Sequence, residues 1–522
     1  MIRSERFWRN RRSASLLAVA VFALLPSVNS GAQTNKPDQT SPSDSKPQAE
    51  THISPDQAKD LFRSVDELIK FASEDTGLPI RHEVKRTLTT RAAVEKYLAE
   101  KFDEDEDAKR MQRGEIVLKK FGLLDRDFNL KPFMLALLKE QIAGYYDSKT
   151  KTVYMLDWID PETQKPVLVH ELTHALQDQH TDLEKWNDQT PTDLSKNESE
   201  DNDHLAKDEM DTARTAALEG QAMAVFVDYS LKPSGRSIVK DPEVLEQLQN
   251  QMQASEDSPV LARAPILLSE SLLFPYKDGL SFEQDVWMDK GRQAAFAGVL
   301  DRPPASSWEV MNPRKYEQGK QSPILVLPDI HPLLNKLYKP YDIGQVGQLD
   351  LRILAQIFGG EAAARELTPA WDGGIYWAGQ RIAAKTPEEL ASTNSVALLY
   401  LSAWKSTAAA NVFAHMYADE LGRKYSGVKL DVADQLPSDS HGGEVVYTTS
   451  EGPVLIMVHD KFVFVSESFD LQTARKLANL IIDGQGTGEI RTAEMNMTRP
   501  GLSESWVSFM HSCGMMKAAM LR

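Results

Sequence analysis

Apolar side chains in the first part of the chain recur at helical spacing. From Ser54 to about Lys139 this spacing predicts a helical region, with Ser54 as an N-cap and Pro55 in the first turn. Further amphipathic helices are predicted over Ala108–Phe121 and Pro132–Ala143. Residues 54–139 are therefore expected to form the helical N-terminal part of a larger domain.

The period of the pattern changes at residue 145. Aromatic and β-branched residues flank a polar turn over Tyr145–Leu156, which predicts a β-hairpin. Helical spacing returns at Val167–Gln179 and again from His204 to about Leu231. The polar and acidic residues 181–203 between these two helices indicate a solvated loop.

The last third of the chain alternates strands with helices. This pattern predicts a separate C-terminal α+β domain over 346–485, with a ferredoxin-like sheet as one alternative and a tail at 486–522. The whole chain is thus expected to be α+β, with a mainly helical domain at 54–345. The predicted strands are Val396–Trp404, Val445–Thr448, Val454–Val458 and Phe462–Ser466, and the predicted helices are Ala408–Tyr425 and Leu471–Ile482.

The N-terminus has the features of a secretory signal peptide. A basic head precedes an apolar run at Leu16–Leu25, and Ser30-Gly31-Ala32 supply small residues for cleavage. The run is shorter than the ~20 residues that span a membrane, so no stable membrane insertion is expected once residues 1–32 are removed. Residues 33–53 are rich in Pro, Ser, Asp and Lys, which predicts a disordered linker. We therefore expect an exported protein, periplasmic or secreted.

Composition and charge narrow the range of functions. In 522 residues, 59 Lys and Arg stand against 76 Asp and Glu, which gives a net charge of −17. Because nucleic-acid phosphates bind positive surfaces, no nucleic-acid partner is expected. The single cysteine, Cys513, excludes an intramolecular disulfide and a cysteine-built zinc ribbon. The sequence carries no signal for an oligomeric state.

An HExxH motif, His170-Glu171-Leu172-Thr173-His174, lies inside the predicted helix Val167–Gln179. Residues four apart share one face of a helix, so both imidazoles can reach one metal ion. Glu171 then lies beside the open coordination position, where a general base is needed. The alternative is a helix whose two histidines only form hydrogen bonds.

A zinc site of this kind needs a third protein ligand, and Glu219 is one candidate. This carboxylate lies in an apolar helical run of small residues, where it is costly to bury unless a metal or a cation pairs with it. Gly220 beside it would permit close packing against the helix of the HExxH motif. The alternative is an ion pair with Arg214 or exposure on the far side of the helix.

His180 is the second candidate for the third ligand. It follows His174 by six residues, which is the metzincin spacing. That geometry needs the helix to end at a glycine, which tolerates positive φ, whereas this chain has Gln177 there. Glutamine favours a continuing helix that would carry His180 away from the metal, so Glu219 is the preferred third ligand of a Zn²⁺ ion.

These residues make the chain resemble gluzincin-type zinc metallopeptidases, which combine HExxH with a glutamate ligand on a downstream helix. Within that type it is similar to a group of exported bacterial metallopeptidase-like proteins. The resemblance implies a mainly helical zincin-like metallopeptidase domain, zinc on His170, His174 and Glu219, and Glu171 as general base. The matching segments are Tyr145-Tyr146-Asp147, Val167–His180, Ala217–Ala222, Phe274–Gly279, Pro303–Tyr316 and Trp371-Asp372-Gly373-Gly374.

One position departs from the pattern of the larger gluzincins. They often place an aspartate four residues after the glutamate ligand, where it orients a zinc histidine, and this chain has Met223 there. We therefore expect the orienting group elsewhere, with Asp178 or Asp211 as candidates. Tyr276 and Tyr145 are candidates, by residue type alone, for the donor to the oxyanion of a hydrolytic reaction.

Two classes of function follow. The first is an exported zinc metallopeptidase that hydrolyses a peptide or protein substrate, with the predicted hairpin either binding the substrate as an added strand or only covering the zinc helix. The second is a catalytically inactive, zinc-stabilised binding protein that uses the C-terminal domain as its working surface. A metzincin-like site with His180 is a subsidiary alternative. Glu171 favours catalysis, because a structural zinc site needs no base.

Overall fold

The structure, a computed structural model, describes residues 52–96, 106–141, 144–187, 197–245, 259–432 and 442–486. The predicted signal peptide, nearly all of the predicted linker and tail, and Cys513 lie outside these residues. The described part combines many helices with two β-sheets, which confirms the predicted α+β class.

Helices supply most of the first two thirds of the described chain. Over the whole described chain, the longer helices are α1 (Pro55–Thr76), α2 (Glu106–Phe121), α3 (Leu130–Gln141), α4 (Pro161–Thr181), α5 (Glu198–Lys207), α6 (Met210–Leu231), α7 (Ile266–Lys290), α8 (Gln348–Leu367), α9 (Thr407–Asp419) and α10 (Leu471–Gly484). Short α-helical segments lie at Leu183–Asn187, Val299–Asp301, Ser307–Met311, Pro313–Glu317, His331–Leu334, Pro387–Leu390 and Leu421–Lys424. Ala294–Gly298 forms a π-helical turn.

The strands form two sheets of different construction. The small sheet has the order β1-β3-β2, in which β1 (Lys85–Thr89) runs parallel to β3 (Thr152–Leu156) and β2 (Tyr145–Asp147) runs antiparallel to it. The large antiparallel sheet has the order β4-β5-β6-β10-β9-β8-β7. Its strands are β4 (Tyr338–Gln345), β5 (Trp371–Arg381), β6 (Val396–Trp404), β7 (Lys429–Val432), β8 (Gly442–Thr449), β9 (Gly452–His459) and β10 (Phe462–Glu467).

The large sheet is not ferredoxin-like, and that alternative is wrong. A ferredoxin-like sheet is built from split β-α-β units, whereas here consecutive strands pair with each other and only β6 and β10 join out of order. The sheet is buried on both faces, because Leu398 and Tyr400 of β6 pack towards α9 while Leu399 and Leu401 pack towards α10. A strand buried on both faces needs a continuous apolar run, which is why β6 was predictable.

Two sequence predictions in the N-terminal half need correction. β1 is a strand inside the region that was expected to be helical, and its pairing with β3 depends on a partner more than sixty residues away. The predicted loop 181–203 is partly helical. Asn197 caps α5 by accepting a hydrogen bond from the backbone N–H of Glu200, and acidic residues in the first turn suit the positive end of the helix.

The single helix predicted from His204 to Leu231 is divided into α5 and α6. The break falls at Asp208 and Glu209, whose buried carboxylates accept hydrogen bonds from neighbouring segments. Asp208 accepts from the backbone N–H of Gln345 at 2.6 Å, and Glu209 accepts from the backbone N–H of Ser307 at 3.3 Å. These contacts direct the chain into α6, which carries Glu219.

Helices α6 and α7 cross with their backbones in contact. A Cβ atom on Gly220 would lie 2.2 Å from the carbonyl oxygen of Gly279, and a Cβ on Gly279 would lie 2.2 Å from that of Ala216. Gly220 was expected to allow close packing against the HExxH helix, α4. The structure shows that it serves the crossing with α7 instead.

The helical part and the large sheet share one continuous apolar core. The largest cluster of buried side chains extends from Leu61 in α1 to Val465 in β10. Buried polar contacts also join the two parts, since Nζ of Lys120 at the end of α2 lies 2.7 Å from Oε2 of Glu451 and 2.6 Å from Oγ of Ser468. The predicted boundary at 345/346 falls directly after β4, which pairs with β5.

In the part of the chain that the structure describes, no helix has both the length and the apolar character needed to cross a lipid bilayer.

Candidate metal centre

The HExxH motif lies in the middle of a deeply buried helix. Asp160 caps α4 by accepting hydrogen bonds from the backbone N–H groups of Glu162 and Thr163, and Pro161 occupies the first turn. Every residue from 167 to 178 is buried. The helix is enclosed because it packs against α1, α6 and the small sheet, so its polar side chains must find partners inside the protein.

Two imidazoles and one carboxylate converge inside this core. Nε2 of His170 lies 3.1 Å from Oε2 of Glu219 and 3.0 Å from Nε2 of His174. Nε2 of His174 lies 3.6 Å from the same Glu219 oxygen. His170, His174 and Glu219 therefore form a buried group that could hold a metal ion.

The donor set and its spacing fit a zinc ion. Ligand atoms placed tetrahedrally at zinc–nitrogen and zinc–oxygen distances of about 2.1 Å lie about 3.4 Å from one another. The three separations of 3.0, 3.1 and 3.6 Å bracket that value. Two histidines and one carboxylate are also a ligand set that leaves a fourth position open for chemistry.

The charges of two members of the group, Glu219 and His170, suit metal binding. Burial raises the pKa of Glu219, but the charge of His174 and hydrogen bonds with both histidines outweigh it and lower the pKa to about 2. Burial lowers the pKa of His170 to about 4. At neutral pH the carboxylate is therefore ionised and His170 is neutral, which are the forms that coordinate metals.

Glu171 lies beside this group and outside it. The side chain is fully buried, and its Oε2 accepts a hydrogen bond of 2.8 Å from the backbone N–H of Tyr146 in β2. Its charge also acts on His174, where it helps Glu219 to raise the imidazole pKa against the effect of burial. The hairpin thus orients the carboxylate of Glu171, which the sequence predicts to be a general base.

Of the two tyrosines considered as oxyanion donors, the structure brings Tyr276 to the site. Burial, the charges of Glu219 and Glu171 and a hydrogen bond with Glu219 raise the pKa of Tyr276 well above its ordinary value, so its hydroxyl stays protonated. Tyr145 stacks on Tyr154 within the hairpin, with ring centroids 4.4 Å apart.

The group that orients His174 was missed by the sequence analysis. Nδ1 of His174 lies 2.8 Å from Oε1 of Gln177. Asp178, which was expected in this role, accepts from the Tyr146 hydroxyl at 2.7 Å and from Lys151 Nζ at 2.7 Å, while the charge of Asp211 acts on Arg214. The i, i+3 spacing of His174 and Gln177 on one helix was the signal that could have found this contact.

His180 does not join the metal group. Helix α4 continues through Gln177 to Thr181, as the glutamine suggested, and Nε2 of His180 lies 2.9 Å from Oδ1 of Asp301. A metzincin-like arrangement is therefore absent from the described residues. The ligand geometry favours Glu219 as the third ligand.

Comparison with protein-family models, with curated proteins and with solved structures finds no match for this chain. The site must therefore be interpreted from its own chemistry. The observed class is a protein with a buried His-His-Glu group able to hold a metal ion.

Proposed function

We propose that the protein is an exported zinc metallopeptidase of gluzincin type that cleaves a peptide or protein substrate. The observation that carries the proposal is the convergence of His170, His174 and Glu219, with the carboxylate of Glu171 next to them. A structural zinc site needs four closed ligands and no base. A three-ligand set beside an oriented carboxylate is the arrangement of a hydrolytic site.

The residues around the site have distinct parts in peptide hydrolysis. A zinc ion, when bound, supplies a Lewis acid that polarises the substrate carbonyl and acidifies a neighbouring water. Glu171 takes a proton from the water that adds to the carbonyl carbon, and it returns the proton to the amine nitrogen as the C–N bond breaks. The Tyr276 hydroxyl donates a hydrogen bond to the carbonyl oxygen as that oxygen gains charge.

The contacts of the hairpin bear on both roles that the sequence suggested for it. Strand β2 is at the edge of the small sheet, but its three residues are buried and the Tyr146 N–H is bound to Glu171, so an extended substrate could add along β2 only after this edge is uncovered. The Tyr146 hydroxyl is also bound to Asp178 of α4, which fixes the hairpin as a cover over the helix.

Complete burial favours a second candidate, a zinc-stabilised binding protein without catalysis. Glu171, His170 and His174 have no exposed surface, and Glu219 is 2% exposed. A peptidase must open this site to a substrate, whereas a structural ion can remain enclosed. The two candidates differ in whether Glu171 is needed for any measurable reaction.

Metal content and peptide cleavage test the proposal together. The purified full chain is analysed for bound metal and is incubated with a broad peptide library, beside the variants Glu219→Gln, Glu171→Gln and His180→Ala. We expect one zinc in the wild type, Glu171→Gln and His180→Ala, and loss of zinc in Glu219→Gln.

Cleavage should disappear in Glu171→Gln and persist in His180→Ala, the matched control at a residue outside the ligand group. Zinc without cleavage in the wild type would establish the binding protein instead. No metal in a folded wild type after zinc is supplied would overturn both candidates.

A further inference from the structure

Two buried glutamines connect the metal-site histidine His174 to the rest of the core. Oε1 of Gln177 faces Nδ1 of His174 at 2.8 Å, and Nε2 of Gln177 donates to Oε1 of Gln221 at 2.8 Å. The same Nε2 donates to the carbonyl oxygen of Leu218 at 3.0 Å. Gln177 and Gln221 have no exposed surface, so water does not compete for these contacts.

The far end of this glutamine pair is anchored on the π-helical turn. Nε2 of Gln221 donates to the carbonyl oxygens of Ala295 and Phe296 at 2.8 and 3.0 Å. The turn thus brings two successive carbonyls to one amide group. Single π-turns are rare and are often found at functional sites.

The carbonyl groups of the π-helical turn determine which atom donates in each hydrogen bond between the turn and His174. Carbonyl oxygens only accept, so Gln221 must present its NH₂ group to the turn and its Oε1 to Gln177. Gln177 must then present its NH₂ group to Gln221 and to the Leu218 carbonyl, which leaves its Oε1 for His174. An acceptor at Nδ1 requires a proton on that nitrogen.

We propose that Gln177 and Gln221 are positioning residues that keep a proton on Nδ1 of His174 and direct its Nε2 towards His170 and Glu219. The inference rests on the proposed metal site and deepens it, because it assigns a role to two residues and to the π-helical turn. A histidine held in this way is ready to coordinate before any ion arrives.

Gln177 and Gln221 with their hydrogen bonds, which we call the relay, also affect the charge around the site. Metal-ligand histidines are held by carboxylates, backbone carbonyls or water, whereas the acceptor here is a neutral side-chain amide. The only carboxylate among the three candidate ligands is Glu219. The Gln177 amide thus gives His174 an acceptor at Nδ1 without placing a second negative charge there.

A matched pair of glutamines on one helix provides the test. Gln164 is also buried in α4, and its amide makes three hydrogen bonds, to the backbone N–H and carbonyl of Leu156 and to the carbonyl of Ile159. It does not touch the histidines. Gln177→Leu and Gln164→Leu therefore remove comparable buried amides, and only the first removes the acceptor for His174.

Zinc affinity of the full chain, measured by competition with a chelator, is the first measurement. We expect Gln177→Leu to weaken zinc binding about 10- to 100-fold, the usual cost of losing a group that orients a metal ligand. Gln164→Leu should keep the wild-type affinity. Equal affinities in the two variants would overturn the relay.

Gln177→Glu separates positioning from packing. It keeps an oxygen for Nδ1 and loses the NH₂ group that binds Gln221, so we expect zinc affinity above that of Gln177→Leu together with reduced thermal stability. A purely structural glutamine would instead lose stability and zinc affinity in parallel in both variants.

The protonation of His174 is the second measurement, made on metal-free wild type labelled with ¹⁵N-histidine. We expect the Nδ1 proton to be visible in the nuclear magnetic resonance spectrum of the wild type and of Gln164→Leu. A wild-type His174 without that proton would overturn the relay even if Gln177→Leu fails to fold. This measurement needs neither zinc nor peptide cleavage, so failure of the proposed function and failure of the relay are distinguishable.

Discussion

Two groups of buried polar side chains differ in how they are completed. In the first, which we call the sheet cluster, Lys424 pairs with Glu467 at the end of β10 and donates to the Tyr417 hydroxyl at 2.9 Å, while Tyr417 donates to Glu467 at 2.7 Å. Every donor there meets an acceptor. In the metal centre, two imidazole nitrogens and a carboxylate oxygen face one another.

The pKa shifts of Lys424 and Glu467 follow from their pairing. Burial lowers the pKa of Lys424 to about 8, and the charge of Glu467 opposes that effect. Burial raises the pKa of Glu467, but Lys424 and Lys120 outweigh it and hold it below its ordinary value. Cation and anion thus complete each other in the sheet cluster. In the other group, two imidazoles and the carboxylate of Glu219 come together in an arrangement that could hold a metal ion.

The largest effect on stability should come from removing Lys424 from the sheet cluster. Lys424→Met leaves Glu467 buried without its closest cation, and loss of one partner of a buried pair costs about 3–5 kcal/mol. The free energy of unfolding, measured in urea, reports this loss. The double variant Lys424→Met/Glu467→Gln should recover part of it, because the stranded charge is gone.

A loss no larger than that of an exposed lysine variant, Lys185→Met, would show that the sheet cluster contributes little.

Zinc should act on the group of His170, His174 and Glu219 alone. At a free zinc concentration of 100 times Kd, binding to the folded state adds about 2.7 kcal/mol to the free energy of unfolding. Thermal unfolding with zinc and with a chelator measures the difference. Glu219→Gln should remove the gain, whereas Lys424→Met should keep it because its cluster is a separate one. A zinc response in Glu219→Gln would contradict the assigned ligands.

The helix crossing beside Glu219 should tolerate no added side-chain atom. Gly220→Ala places a methyl group 2.2 Å from the Gly279 carbonyl oxygen, and overpacking of this kind costs about 1–3 kcal/mol. We expect weaker zinc binding as well, because α6 must shift. Gly422→Ala is the control, since a Cβ there meets no atom within 4 Å. Equal stabilities would show that the helices separate easily.

The smallest predicted effect on stability concerns Glu309, a buried carboxyl group that keeps its proton to a higher pH than an exposed one. Burial raises the pKa of Glu309 to about 6, against the hydrogen bond from Ala305 N–H and the charge of Arg302. Because the folded pKa is above the unfolded one, the stabilisation is complete below about pH 4.5 and is lost as pH rises through 6.

Glu309→Gln should abolish this pH dependence, which amounts to about 1–2 kcal/mol, in unfolding experiments from pH 4 to 8. Identical pH profiles for the two proteins would contradict a protonated Glu309.

The sequence predicted that His170, His174 and Glu219, the group that could hold a metal ion, come together, because each of these residues carries a local signal. His170 and His174 share a helix face through a four-residue spacing, and the apolar surroundings of Glu219 demanded a partner. Gln177 was judged only as the residue that continues the helix. Its role depends on Gln221 and on the π-helical turn, whose position no local pattern indicates.

Long-range pairing explains the elements that were missed. β1 is a strand because β3 lies beside it, and its own short, polar sequence gives little strand signal. Gly220 was correctly associated with close packing, but a glycine in the sequence does not identify the helix that approaches it. The sheet cluster was not predicted, because no local pattern marks Lys424 and Glu467 as partners and they meet only in the fold.

The contact of Lys120 with Glu451 and Ser468 bears on the order in which the chain can fold. Lys120 is 331 residues from Glu451 and 348 residues from Ser468 in the sequence. During synthesis at about 5–20 residues per second, α2 waits tens of seconds for these partners. We therefore expect α2 to dock late, and a chain truncated before β8 should leave a buried ammonium without its carboxylate and be prone to aggregation.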